Sequence, residues 1–215
     1  MRLVAISVGK PKEVQWRGRS VRTSIFKSTV SGPMYVGRLN IEGDEQSDLS
    51  VHGGLAKAVY AYPAEHYGFW RGELPDAELP WGAFGENFTI EGLLEDEVWI
   101  GDRYRVGGVE LVVTQPRMPC HKLAIRFGRT DMVKRFLQSR RSGFYLAVER
   151  EGTVSAGAPI ERFARDERRL TVADVVALYA KDSANQPLLQ NASEHPSLPE
   201  SWREYFRKRL WAPDA

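Results

Sequence analysis

Short stretches rich in β-branched and aromatic residues recur through most of the chain, and glycine-containing turns separate them. Residues 104–106 and 109–114 are two such stretches, with Gly107-Gly108 between them at the spacing of a β-hairpin. Glycine supplies the positive φ angles that two-residue hairpin turns need. Many short strands joined in this way are typical of an antiparallel sandwich or barrel, so we predict a mainly β fold.

Helical periodicity appears in two insertions among the strands and in the C-terminal part of the chain. Residues 63–71 and 131–141 carry apolar side chains on one face. Beyond a charged linker, Thr171 begins a capping-box pattern followed by apolar residues at helical spacing. We therefore predict a β domain over residues 1–163 and a small all-helical domain of two or three helices over residues 166–211.

Composition restricts the class of protein. The 215 residues are 42% hydrophobic and 27% charged, as in ordinary soluble globular proteins. The net charge of +2 gives no argument for binding to nucleic-acid polymers or membranes. A single cysteine excludes an internal disulfide and a cluster held by four thiolates of this chain. Because we find neither a signal-peptide core nor a long apolar span, we expect a cytoplasmic protein.

The only cysteine, Cys120, lies in a basic segment, just after Pro116 and Pro119. Residues 111–130 contain no carboxylate and four basic side chains, namely Arg117, Lys122, Arg126 and Arg129. Nearby positive charge favours a thiolate, which is both a nucleophile and a ligand for soft metals. The alternative is an inert core cysteine, which is the common case for a lone cysteine. The basic surroundings lead us to predict chemistry at this sulfur.

A second segment combines a glycine pair with basic side chains. His52-Gly53-Gly54 is followed by Lys57, and the bare glycine backbone lets main-chain N–H groups approach an anion closely. A P-loop is excluded because its glycine spacing and its Lys-Ser/Thr ending are absent. The alternative is a simple Gly-Gly turn beside a histidine that is satisfied in the core.

Two more residues are candidates for the same site. Asn87 either hydrogen-bonds the edge of a heterocycle or closes a turn. Arg141 lies at the end of the helix predicted over residues 131–141, where its planar guanidinium group would bind an anion through two parallel hydrogen bonds. The alternative role for Arg141 is compensation of the helix dipole.

Other classes of site use the same residues. Cys120 with His52 and Asp48 would form a thiol-hydrolase triad, and Cys120 with His52 and His121 would hold zinc. Neither class explains why so many cations and glycines accompany one thiol. An anionic cofactor that carries a soft metal explains both features.

Several motifs together resemble the MOSC domain, the module also found at the C-terminus of molybdenum-cofactor sulfurases. His-Gly-Gly-x-x-Lys-Ala precedes Pro-Arg-x-Pro-Cys-x-Lys-Leu, and this pairing in this order is specific. The resemblance covers roughly residues 1–163, and the helical tail resembles the three-helix domain of the YiiM-like branch, which is linked to 6-N-hydroxylaminopurine resistance. Two positions depart from the pattern: Leu55-Ala56 replaces an expected Pro-Asp, and Gly157-Ala158 lacks an aspartate after the glycine.

The resemblance implies a β-barrel-like fold that binds molybdenum cofactor (molybdopterin), with Cys120 as the metal ligand and catalytic residue. It implies reduction of N-hydroxylated small molecules such as 6-N-hydroxylaminopurine, with electrons from an external reductase. The cofactor-binding residues expected from the motif positions and from the physical argument are His52, Gly53, Gly54, Lys57, Asn87, Arg117, Lys122 and Arg141.

Three further expectations complete the sequence-based prediction. His121 is our candidate proton donor, since the ordinary histidine pKa of about 6.5 permits proton transfer near neutral pH. A homodimer is compatible with the sequence. The alternative functions are a sulfur carrier that uses a Cys120 persulfide and a non-catalytic module that binds the cofactor.

Overall fold

The computed structural model describes residues 1–46, 53–181 and 185–211, which form strands β1–β12 and helices α1–α6. The strands are β1 (Arg2–Val8), β2 (Lys12–Trp16), β3 (Arg19–Thr23), β4 (Ser28–Val30), β5 (Met34–Val36), β6 (Val59–Pro63), β7 (Phe88–Glu91), β8 (Arg103–Val106), β9 (Val109–Pro116), β10 (Phe144–Arg150), β11 (Gly152–Val154) and β12 (Ile160–Ala164). The helices are α1 (His66–Glu73), α2 (His121–Phe127), α3 (Met132–Ser139), α4 (Val172–Tyr179), α5 (Gln186–Glu194) and α6 (Glu200–Trp211).

Eight strands form the main sheet, in the order β12-β8-β9-β10-β6-β7-β1-β4. Neighbouring strands are antiparallel except for the parallel pair β6 and β7. Two small antiparallel pairs, β2 with β3 and β5 with β11, stand apart from the main sheet. The fold is therefore mixed and sheet-rich, with inserted and C-terminal helices, which confirms the predicted mainly β fold only in part.

The sheet is not closed, so the predicted barrel is not confirmed. Strands β12 and β4 occupy its two edges. At one end, the Leu3 N–H donates to the Ala158 carbonyl at 2.9 Å, and the Ile160 N–H donates to the Met1 carbonyl at 3.1 Å. These bonds bring the start of β1 against the segment that leads into β12, without a continuous ladder between the edges.

Local sequence patterns predict several elements correctly and fail at one. The β8–β9 hairpin turns at Gly107, whose φ of 54° matches the predicted positive value. The β-prone residues Val98, Trp99 and Ile100 predict a strand at residues 97–100, but the segment forms turns and one isolated bridge, between Trp99 and Thr171. The Trp99 N–H donates locally to the Asp102 carboxylate at 3.2 Å, and the pairing with residues 170–172 is limited to the backbone bonds of Val98 and Ile100.

The C-terminal helices begin where the sequence predicts and pack on the sheet. The Asp174 N–H donates to Thr171 Oγ1 at 2.9 Å, and the Thr171 N–H donates to the Asp174 carboxylate at 3.0 Å, which completes the capping box of α4. Val175, Leu189 and Phe206 belong to the same buried cluster as the strand residues. The division into separate domains at residues 163–166 remains a prediction. Within the three described ranges, no helix is both long enough and apolar enough to span a bilayer.

One hydrogen bond links helix α6 to the strand that leads toward Cys120. Trp202 Nε1 donates to Gln115 Oε1 at 2.5 Å, and Gln115 lies near the end of β9. Trp202→Phe should lower the free energy of unfolding by about 1–2 kcal/mol, because it leaves the buried Gln115 carbonyl without this donor. Urea unfolding would measure the change.

Tyr205→Phe is the matched control on the same helix. The Tyr205 hydroxyl is 3.5 Å from the Tyr179 carbonyl, at the limit of a hydrogen bond and exposed to solvent. We expect its loss to change stability by less than about 0.5 kcal/mol. Equal unfolding midpoints for the two variants would contradict a stabilising role for the Trp202–Gln115 bond.

Candidate functional site

A half-open cavity lies beside Cys120, with about 580 Å³ of empty space including the part open to solvent. Its wall brings together basic, acidic and aromatic side chains from distant parts of the chain. They include Lys27, Asp44, Glu45, Lys57, Tyr60, Arg117, Cys120, Lys122 and Tyr145.

Cys120 lies at the N-terminal end of helix α2. Its backbone is extended, with φ −126° and ψ 173°, and its carbonyl accepts the Leu123 N–H at 2.9 Å. The thiol is free and only half-buried, so its sulfur is not enclosed in the core. This position fits the predicted chemical role better than the alternative of an inert core cysteine.

Arg117 is the most deeply buried cation of the cavity wall, at 6% exposure. Its guanidinium carbon lies 5.6 Å from the Tyr60 ring centre and 5.2 Å from the Phe136 ring centre. Its Nη1 has no hydrogen-bond partner within the described residues. Because leaving a buried charged donor unpaired is costly, this atom is a candidate for hydrogen bonding to a bound group.

A buried ion pair between Lys27 and Asp44 forms another part of the wall. Asp44 Oδ1 also accepts the Gly9 N–H at 2.8 Å, and its Oδ2 accepts from Asn87 Nδ2 at 2.9 Å. Burial lowers the pKa of Lys27, while the Asp44 carboxylate acts in the opposite direction. Sequence reasoning did not place Lys27 in the site, because no motif surrounds it.

Asn87 hydrogen-bonds to several segments that form the cavity wall. Its amide nitrogen donates to Asp44 and, at 3.3 Å, to the Ser7 carbonyl, while its Oδ1 accepts the Tyr60 N–H at 3.2 Å. Both amide hydrogens are thus used inside the protein. These bonds link Asn87 to distant parts of the chain and do not close a local turn, so its predicted role in cofactor binding stays a prediction.

The preceding turn is ordered by a buried carboxylate. Glu86 accepts the Gly82 N–H at 2.8 Å, the Phe84 N–H at 3.0 Å and the Thr89 hydroxyl at 3.1 Å. The Tyr67 hydroxyl donates to it as well. These four donors hold the segment that presents Asn87 to Asp44.

The glycine pair stands just before a short 3-10 helix, Leu55–Lys57. Gly54 has a φ of 98°, a conformation that favours glycine, and its carbonyl accepts the Lys57 N–H at 2.9 Å. The Lys57 side chain lines the cavity and burial lowers its pKa, whereas Gly53 and Gly54 are outside the wall. His52 and Asp48 lie outside the described residues, so their roles remain predictions.

Besides Gly53 and Gly54, two further predicted residues lie outside the cavity wall. The Arg141 guanidinium lies over the Phe69 ring at 3.9 Å and donates to the Ser139 carbonyl at 3.0 Å, as expected for a residue that caps the end of α3. His121 is exposed at the start of α2 and is not part of the wall. In the part of the chain that the structure describes, no group of three His, Cys, Asp or Glu side chains could hold a metal ion.

Comparison with known proteins places the chain among relatives with the same organisation. The MOSC domain matches residues 48–161, and the YiiM-like 3-alpha helix domain matches residues 170–211. YflK of Bacillus subtilis is 40% identical over 96% of this chain and 93% of its own length. YiiM of Escherichia coli is 36% identical over 87% of this chain and 84% of its own length.

A fungal relative and a solved structure extend the comparison. A protein of Gibberella moniliformis named reductase is 31% identical over 83% of this chain, which corresponds to 32% of that protein. The crystal structure of YiiM from Geobacillus stearothermophilus superposes with a TM-score of 0.81 at 38% identity, over 97% of this chain and 98% of that one. The chain therefore belongs to the MOSC-domain family, in the branch where a YiiM-like three-helix domain follows the MOSC domain.

Proposed function

We propose that the protein is a cytoplasmic reductase of N-hydroxylated compounds such as 6-N-hydroxylaminopurine, and that it binds molybdenum cofactor through Cys120. One observation carries the proposal: the half-exposed thiol of Cys120 and the unpartnered Nη1 of buried Arg117 line one cavity. A thiolate suits a soft metal, and a buried arginine suits an anion. The reductase-named relative supports the class of reaction.

The side chains of the wall fit an anionic, metal-containing group. Arg117 Nη1 and the buried Ser24 hydroxyl both lack hydrogen-bond partners in the described residues and would donate to the cofactor's oxygen atoms. Lys57 and Lys122 add positive charge in the same wall. Cys120 would hold the metal, and the N–H groups beside Gly54 are candidates for the phosphate.

The proposed reaction breaks the N–O bond of the substrate. An N-hydroxylated amine takes up two electrons and two protons and gives the amine and water. When bound, the cofactor supplies the redox-active metal through which the electrons pass. The chain's own part is to orient the substrate and to hold protons: Lys27 Nζ lies in the wall, and burial lowers its pKa, which makes release of its proton easier.

Reduction of 6-N-hydroxylaminopurine to adenine tests this proposal directly. Protein purified from a host that makes molybdenum cofactor should catalyse the reaction with dithionite-reduced methyl viologen as electron source. Protein from a host without the cofactor should give only the uncatalysed rate. Chromatography of the two purines measures the rate, and equal rates from the two preparations would contradict the proposal.

The accessible single thiol also favours a second candidate, a sulfur carrier that uses a persulfide on Cys120. Mass spectrometry of protein made without molybdenum would then find one extra sulfur atom on the peptide containing Cys120. The non-catalytic alternative predicts tight cofactor binding with no reduction of the purine by reduced viologen.

A further inference from the structure

The β2–β3 hairpin is a basic projection that stands apart from the main sheet. In and beside it, five basic side chains are exposed: Lys10, Lys12, Arg17, Arg19 and Arg22. The one carboxylate of the hairpin, Glu13, lies opposite Arg22 in the strand register. None of the five cations forms an ion pair with any described residue.

The hairpin tip is shaped by its turn. Arg17 and Gly18 have φ values of 51° and 77°, as in a two-residue type I′ turn between Trp16 and Arg19. Two of the cations, Arg17 and Arg19, therefore lie at the tip. Charged side chains at such an exposed position gain little stability from their neighbours, so their charge is available to a partner.

The base of the hairpin is part of the cavity wall. Strand β3 ends at Thr23, and the next two residues, Ser24 and Ile25, line the cavity that contains Cys120. Phe26 then contacts cations from two elements: Lys12 Nζ is 3.8 Å from its ring centre and the Arg126 guanidinium carbon is 5.4 Å away.

Helix α2, which carries Arg126, begins directly after Cys120. Lys12 and Arg126 thus lie against the same ring, directly after the residues that enter the cavity wall, and the other cations continue along the hairpin to Arg17 and Arg19 at its tip. We call this set of cations the basic rim and define it as Lys10, Lys12, Arg17, Arg19 and Arg126.

We propose that the basic rim is the docking site for a redox protein whose surface around its redox group is acidic. The inference rests on the proposed function, in which each N–O bond consumes two electrons and two protons. The donor protein is oxidised by two electrons as one amine and one water are formed. Since the rim starts at the residues that lead into the cavity wall, a donor seated along it approaches the cavity from the base of the hairpin.

Charge is the argument for this partner. Electron-transfer complexes are typically small and transient, and complementary charge raises their rate of association. A nucleic-acid polymer is a weaker fit, because 28 acidic residues nearly balance the 30 basic ones over the whole chain. A local basic surface on a nearly neutral protein suits a partner with an equally local acidic surface.

The test uses two charge-matched double variants of the full chain. Arg17→Asp/Arg19→Glu reverses the rim, and Asp-Gly is a favoured pair for a type I′ turn, so the hairpin should keep its shape. Arg71→Glu/Lys208→Glu makes the same change in net charge at exposed positions on α1 and α6. Arg17→Asn/Arg19→Gln removes the rim charge without reversing it.

Reduced flavodoxin, an acidic flavoprotein, serves as the probe donor at low ionic strength. We expect the rim-reversed variant to oxidise it at least about tenfold more slowly than wild type, with the neutral variant between them and the control near wild type. The difference should vanish at high salt, because salt screens exposed charges. Reduced methyl viologen, a small donor, should drive all variants equally.

Several outcomes would overturn the docking site. One is an equal flavodoxin-driven rate in the rim-reversed and wild-type proteins. Another is a rim-reversed variant that loses as much rate with viologen as it does with flavodoxin. A third is tighter binding of the wild-type protein to duplex DNA than to flavodoxin. If wild type shows no viologen-driven reduction at all, it is the proposed function that fails. Binding to immobilised flavodoxin then tests the rim by itself: about tenfold weaker binding of the rim-reversed variant supports it, and equal binding refutes it.

Discussion

Replacing Cys120 by serine should remove molybdenum from the purified protein. Wild type from a cofactor-replete host should contain close to one molybdenum atom per chain. Serine presents a neutral hydroxyl in place of a soft thiolate, so it should not hold the metal. Inductively coupled plasma mass spectrometry of gel-filtered protein measures the metal content, and the rate of hydroxylaminopurine reduction should fall to the uncatalysed level.

His121→Ala is the matched control for this experiment. His121 is adjacent in sequence, but it is exposed and outside the cavity wall. The His121→Ala variant should retain both the metal and most of the activity. That result would also exclude His121 as the proton donor. Equal molybdenum content in wild type and Cys120→Ser would refute the assignment of Cys120 as the ligand, whatever the activities show.

Asp44→Asn should have the largest effect on stability. It keeps an acceptor for the Gly9 N–H but leaves the ammonium of Lys27 buried without a countercharge. The Lys27 side chain is only 8% exposed, so water cannot replace the carboxylate. Breaking a buried ion pair in this way costs about 3–5 kcal/mol. Urea unfolding at neutral pH measures the loss.

Lys27→Met tests whether the unpaired charge is the cause. The double variant Lys27→Met/Asp44→Asn should be more stable than Asp44→Asn alone, since it contains no buried unpaired ammonium. The reverse order of stability, or an Asp44→Asn variant within about 0.5 kcal/mol of wild type, would contradict the explanation.

The pH dependence of Asp44→Asn follows from the same group. Burial lowers the pKa of Lys27 below its ordinary value of 10.5 in the folded protein. Between the folded and unfolded pKa values the unfolded chain binds more protons, so the free energy of unfolding should rise with pH there. Loss of Asp44 lowers the folded pKa further. The variant should therefore recover stability as pH rises toward 10.5, over a wider window than wild type.

Local patterns predicted the parts of the fold that depend on neighbouring residues. The positive φ at Gly107 and the capping box at Thr171 each involve groups within three residues of one another. The strand predicted at residues 97–100 is reduced to an isolated bridge between Trp99 and Thr171, and alternating hydrophobicity did not reveal that the Trp99 N–H would donate to Asp102. Local patterns also could not predict whether the sheet closes into a barrel, because closure depends on how edge strands that are distant in the sequence meet.

The sequence by itself determined the family, and it identified the one thiol together with the basic residues Arg117 and Lys122 near it in the chain. These residues belong to one short motif, so their proximity required no knowledge of the fold. Only the tertiary structure joined Asp44 to Lys27, which is 17 positions away along the chain, and to Asn87, which is 43 positions away. The tertiary structure also places the Arg141 guanidinium over the Phe69 ring and not in the cavity wall. The physical reason is that strand order, not chain distance, decides which side chains meet.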